Sequence, residues 1–183
     1  MMCNPAEHRR RSIRLRGYDY SQAGAYFVTI CTQNRECLFG TIADGKMVLN
    51  PLGEIAAVCW NAIPVHFRDV ELDEYVVMPN HIHGIIVILD RADYRRGTAC
   101  RAPTMERFGR PLSGSLATIV RSFKSAATKR INEWRCTPGA VVWQRNYYEH
   151  IIRNEREWDA IREYIYLNPT QWDQDIENPE RKT

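Results

Sequence analysis

Residues 70–89 constrain this chain most. They read V-E-L-D-E-Y-V-V-M, then Pro79-Asn80, then H-I-H-G-I-I-V-I-L. Both runs suit strands, and a two-residue link leaves no room for a crossover, so the strands pair antiparallel. His81 and His83 lie two residues apart at the start of the second strand. On a strand that spacing puts both imidazoles on one face and turns Ile82 the other way, into a core. Two imidazoles on one face can share a metal ion. The spacing alone is equally compatible with two ordinary strand-end histidines.

The rest of the chain supplies layers for this strand pair. Residues 25–32 (A-Y-F-V-T-I-C-T) are aromatic and β-branched, which predicts a buried strand. Asp44-Gly45 between two short apolar runs predicts a hairpin. Residues 52–66 predict a helix, with Ile55, Val58, Cys59, Ala62 and Ile63 near helical spacing. A second helix runs from a cap at Ser113 or Ser115 to about Trp134, with an apolar stripe through Leu116, Ile119, Val120, Phe123, Ala127 and Ile131. Residues 137–150 begin as a turn and end as a short strand or loop. Asn154 and Glu157 form an N-x-x-E start to a last helix, which stops at Pro169. Strands and helices in this order give an α+β fold, with helices packed on an antiparallel sheet.

The 183 residues suffice for one domain with its own core. We divide them into a basic arm (1–17), a single domain (18–169) and a polar tail (170–183), expected to be loose. Residues 90–112 break every periodicity with charges, Gly97, Pro103, Gly109 and Pro111. No apolar run approaches the ~20 residues of a membrane span, and the first residues carry no apolar signal core. Six cysteines include no C-x-x-C pair, which favours free thiols in a reducing cytosol over a zinc ribbon.

A net charge of +3 says little about partners, but its distribution says more. Arg9, Arg10, Arg11, Arg14 and Arg16 crowd the N-terminus, and Arg91, Arg95, Arg96, Arg101, Arg107 and Arg110 form a second group. Clustered guanidinium groups suit phosphate recognition, since each can bond two oxygens at once. A solvated tail and a solvated loop would look the same.

The last helix adds a nucleophile. Tyr164 and Asn168 are i and i+4, stacked on one helix face. A tyrosine hydroxyl can attack a phosphodiester, and a metal ion can polarise the phosphate for that attack. Asn168 adds an amide oxygen to the two imidazoles. Mg²⁺ or Mn²⁺ suits such a set, and Mn²⁺ tolerates the nitrogen ligands better. Tyr166 lies two residues on, about 200° around the helix from Tyr164, so both tyrosines cannot face one metal. A tyrosine on an amphipathic helix is also, commonly, a core aromatic.

Three stretches in order give this chain a resemblance to the REP-associated tyrosine transposases, a branch of the single-tyrosine HUH transposases related to insertion sequence 200. They are Y-V-V-M-P-N-H-I-H-G-I-I-V-I (75–88), V-W-Q-R-N-Y-Y-E-H-I-I-R-N (142–154) and E-Y-I-Y-L-N-P (163–169). The resemblance implies a ferredoxin-like or RRM-like fold. It also implies a metal-dependent endonuclease and strand transferase that acts on hairpin-forming single-stranded DNA through a 5′-phosphotyrosine link. Carried over by position, Tyr164 is the nucleophile, and His81, His83 and Asn168 are the metal side. A bacterial, cytoplasmic, nucleoid-associated protein, either a monomer or a homodimer, goes with it.

Arg121, Lys124, Arg145, Arg153 and the arginine arm are candidate DNA contacts. Tyr147 and Tyr148 are left between stacking bases and packing inside. His150 is a candidate third ligand or phosphate contact, with a packed or capping histidine slightly favoured. Two other readings compete: a non-catalytic single-strand-binding protein on the same fold, and a replication-initiator or relaxase-type HUH enzyme. Mere binding would not need the set His81, His83, Tyr164 and Asn168.

Overall fold

The computed structural model describes residues 18–90 and 114–181. Its centre is a four-stranded antiparallel sheet in the order β4-β5-β1-β6, built from β1 (Gly24–Cys31), β4 (Val70–Val77), β5 (His81–Ile88) and β6 (Tyr148–Ile152). Taken as first to fourth in the chain, these strands lie 2-3-1-4 across the sheet. That is the ferredoxin-like arrangement anticipated from the resemblance. A separate hairpin, β2 (Gly40–Ala43) and β3 (Lys46–Leu49), turns at Asp44 and Gly45, both at positive φ as the tight two-residue turn requires.

One face of the sheet carries the main core. Tyr26, Val28, Ile30, Ile82, Ile86 and Ile88 meet α1 (Pro51–Asn61) and α3 (Leu116–Arg135) there. The predicted stripe on α3 is buried in full, from Leu116 to Ile131. Gly84 leaves room for the Trp60 indole, which a Cβ at that position would meet at 2.4 Å. That close approach seats the Trp60 ring of α1 directly on β5.

Asn50 caps α1 by accepting from the Leu52 and Gly53 amides. The single helix expected over 52–66 is two: α1 ends at Asn61, and α2 (Ile63–His66) follows a break at Ala62. Pro64 is the reason, because it has no N–H to bond back to the preceding turn.

The opposite face of the sheet is covered differently. Ala25, Phe27, Ile85 and Ile152 pack there with Ile165, Trp158 and Ile161 of α4 (Glu155–Leu167). Asn154 caps α4 by accepting from the Glu157 amide at 2.9 Å. Glu157 reaches back to the Arg153 amide at 2.7 Å, one residue earlier than a standard capping box. A register irregularity in β4 between Leu72 and Tyr75 turns Asp73 toward α4. There Asp73 accepts from the Trp158 indole and from the Arg162 guanidinium at 2.6 Å.

The last helix stops beside Pro169 as expected: α4 ends at Leu167 with Asn168 as its cap, and a 3₁₀ turn runs on over Asn168–Gln174. One expectation needs correction: the tail is not loose where it is described, because Asp175, Glu177 and Asn178 are buried at 7–8% exposure. Polar composition suggested solvent, but these side chains bury by bonding within the protein: Asp175 accepts from Asn168 and from the Glu177 amide, Glu177 pairs with Arg35, and Asn178 donates to the Trp172 carbonyl.

Candidate active site

β5 presents His81 and His83 on the α4 face, with His83 opposite Thr29 of β1 and Val76 of β4. Both are buried, at 0% and 3% exposure. Their ring centroids are 4.3 Å apart. Each ring is held from behind through Nδ1. For His81 the partner is Asn80 Oδ1 at 2.8 Å, and for His83 it is Thr29 Oγ1 at 2.9 Å.

The tautomer of His81 follows from its neighbours. Asn80 Nδ2 donates to the carbonyls of Arg35 and Glu177, so Asn80 must turn its oxygen toward the imidazole. Nδ1 of His81 therefore carries the proton, and Nε2 keeps a lone pair. That Nε2 is buried and hydrogen-bonds to nothing among the described residues. Metal-binding histidines are commonly oriented in this way from the far nitrogen.

Tyr164 comes from α4. Its hydroxyl lies 3.2 Å from His83 Nε2, its ring 5.2 Å from the His83 ring and 6.0 Å from Phe27. With His83 protonated on Nδ1, the imidazole donates to Thr29 and accepts from Tyr164, so both contacts are satisfied. Asn168, one turn further along, is buried. Its Nδ2 donates to Asp175 Oδ2 at 3.2 Å, which leaves Oδ1 buried and unbonded.

Asp175 was not anticipated. Its Oδ2 lies 3.9 Å from His81 Nε2, and His81, His83 and Asp175 offer ligand atoms within 4.8 Å of one another. Asn80 and Thr29, which orient the imidazoles, were also missed. The only sign of Asn80 in the sequence was its place before His81, where it reads as a turn residue. For Asp175 there was no sign, since it sits in a polar stretch with no periodicity.

Electrostatics follow burial. Desolvation pushes His81 down to about 4, against the opposing pull of Asp175 and Glu177. Desolvation, with the neighbouring His81, holds His83 well below its ordinary value. Both rings are thus neutral, with lone pairs to give. Burial raises the Tyr164 hydroxyl to about 12, and Asp175 adds to this. The phenol is therefore protonated at neutral pH.

The remaining candidates separate. Tyr166 is 78% exposed on the outer side of α4. Tyr147 packs against the main core, with the Lys124 ammonium 5.5 Å over its ring. Tyr148 is 39% exposed beside Phe27. His150 bonds Glu157 at 2.7 Å through Nε2, next to the α4 cap and outside the ligand group. Lys124 donates to the Gln144 and Asn146 carbonyls at 2.9 and 3.0 Å, and burial lowers it to about 8. Arg121 and Arg145 line a groove between α3 and residues 138–145. Arg153 is exposed at the end of β6. Arg9, Arg10, Arg11, Arg14 and Arg16 lie outside the described residues, as do Arg91 to Arg110 and Ser113. Of the two predicted caps Ser115 precedes α3, without a side-chain bond to its amides.

No family model matches this chain. A Haemophilus influenzae protein, described as uncharacterized, is 44% identical over 174 residues that cover 94% of each chain. Among solved structures, a REP-associated tyrosine transposase bound to a REP hairpin superposes with a TM-score of 0.57. The likeness covers 87% of this chain and 73% of that one, at 21% identity. At that identity it shows a shared fold. Among the described residues no helix is long and apolar enough to cross a membrane.

Proposed function

Starting from a chain that belongs to one family with the Haemophilus influenzae protein and has the fold of a REP-associated tyrosine transposase, we propose that it is a metal-dependent single-tyrosine HUH endonuclease and strand transferase. Its substrate is single-stranded DNA at hairpin-forming repeats. One observation carries the reading: the Tyr164 hydroxyl stands 3.2 Å from His83 Nε2, on the same sheet face as the buried, unbonded Nε2 of His81.

The residues fit a divalent ion. His81 Nε2 and Asn168 Oδ1 are buried polar atoms without partners among the described residues, and such atoms are costly unless something bonds them. His81, Asn168 and Asp175, with His83 once its Nε2 exchanges the Tyr164 hydrogen bond for the ion, would supply two nitrogens and two oxygens, a set that suits Mn²⁺ more readily than Mg²⁺. When bound, the ion would polarise the scissile phosphate and neutralise charge that develops on it.

The chain's own residues do the rest. Tyr164 Oη attacks phosphorus, the bond from phosphorus to the 3′ oxygen breaks, and the phenolic proton leaves as the 3′ hydroxyl forms. The product is a 5′-phosphotyrosine, which that hydroxyl or another can reverse without ATP, because one phosphodiester replaces another. α4, held to β4 through Asp73, keeps the tyrosine at the histidines within one chain. Exposed Arg121, Arg145 and Arg153, with the N-terminal arginines, would contact the DNA backbone. Lys124, already bonded to two carbonyls, would do so less. The domain on this reading extends past residue 169 to include the segment that carries Asp175.

The test is cleavage of labelled hairpin DNA with single-stranded flanks. Wild type with Mn²⁺ should cut and become covalently linked to DNA, whereas Tyr164→Phe, or wild type in EDTA, should do neither. Binding without any cutting would instead indicate a non-catalytic single-strand-binding protein.

A further inference from the structure

The sheet face that bears the histidines is not wholly covered by α4. Four aromatic side chains among the described residues are markedly exposed: Trp134, Tyr148, Tyr164 and Tyr166. Trp134 lies near the end of α3 and Tyr166 on the outer side of α4. The other two meet at the site. Tyr148 and Tyr164 both stand edge-on to Phe27, with centroids at 6.2 and 6.0 Å. Phe27 in turn stacks on His83 at 5.4 Å.

Register explains the placement. Thr29 pairs with His83 on one side and Tyr148 on the other, so the three share a face. Tyr148 and His83 are therefore two strand spacings apart, about 10 Å between backbones. Thr29 between them is small, and its hydroxyl is engaged with His83. The surface beside the nucleophile thus ends in a partly exposed ring on the edge strand β6. Its neighbours are settled: Tyr147 and Glu149 point to the other side, and His150 is tied to Glu157.

We infer that Tyr148 stacks on a nucleobase beside the scissile phosphate and so positions the strand for attack by Tyr164. The inference rests on reading this site as a strand-cleaving centre. A base within one or two nucleotides of a phosphate at His81 and His83 spans the distance to Tyr148. A half-exposed aromatic ring is the surface that single-stranded bases use, since every base has a flat apolar face. The contact would favour unpaired DNA over duplex, in which base faces are already stacked.

Hairpin DNA carrying 2-aminopurine at one single-stranded flank position at a time tests this. Wild type should quench the probe at a position next to the cut. Tyr148→Ala should lose that quench and bind roughly 5–100-fold more weakly. Tyr148→Phe should restore both, because stacking needs the ring and not the hydroxyl. Tyr164→Phe should keep the quench and form no adduct. If wild type cuts DNA but Tyr148→Ala binds and quenches like wild type, the stacking role is overturned and the nuclease reading stands. If wild type neither binds nor cuts such DNA, both are overturned.

Discussion

Asp175 Oδ2 lies 3.9 Å from His81 Nε2, although one residue opens β5 and the other follows the last helical turn. The distance is too long for a hydrogen bond. Two donors that each bind one ion at about 2.0–2.3 Å stand roughly 3–4.5 Å apart, depending on the angle between them. The pair therefore has the spacing of two ligands of one metal.

Asp175→Asn should weaken Mn²⁺ binding to the DNA-free protein by at least tenfold, since it removes a charged oxygen from the set. Titration of the protein with Mn²⁺, followed calorimetrically, reads this directly. An unchanged affinity would remove Asp175 from the site and leave Asn168 as the oxygen ligand.

Asn80→Ala should act on both metal binding and stability. It frees the His81 ring to turn and leaves the Arg35 and Glu177 carbonyls without their donor. The expected cost is about 1–3 kcal/mol in unfolding free energy, with about 10–100-fold weaker metal binding. Denaturant melts and Mn²⁺ titration check the two effects separately; a stability loss with intact metal affinity would limit Asn80 to a structural role.

The attachment of α4 should depend on pH through Asp73. Burial alone would raise this carboxyl, but hydrogen bonds from Arg162, Trp158 and the Glu74 amide outweigh it and hold it below its ordinary value. A group depressed in the folded state binds more protons when unfolded, so its contribution is complete above the unfolded value near 3.9 and fades as pH falls through the folded one. Asp73→Asn should therefore lower Tm at neutral pH, and the gap to wild type should narrow as acid protonates Asp73. A gap that stays constant down to the acid limit would mean the charge contributes nothing.

Tyr166→Phe should leave covalent adduct formation at the wild-type level, because its ring faces solvent on the far side of α4. Tyr164→Phe should abolish it. A gel that resolves the protein–DNA adduct decides between them, and the reverse pattern would move the nucleophile to Tyr166.

Much of this was legible in the chain itself. The strand pair at 70–89, the i, i+2 histidines and the i, i+4 pair Tyr164 and Asn168 follow from local periodicity. Such periodicity states which side chains share a face of their own element. It also gave the buried stripe of α3 and the Asp44-Gly45 hairpin. It failed at Ala62, where apolar spacing continued through Pro64 but the backbone bond could not.

What the sequence by itself determined was the set of faces: histidines on one side of β5, a tyrosine on one side of α4. Only the tertiary structure decided what those faces meet. It brought Asp175 to His81, turned Asn80 behind the imidazole, packed Tyr147 against the main core and left Tyr148 open beside Phe27. It also tied Lys124 to two carbonyls and His150 to Glu157. These contacts join residues far apart in the chain. They arise from how one element docks on another, and no repeat within a single element encodes that.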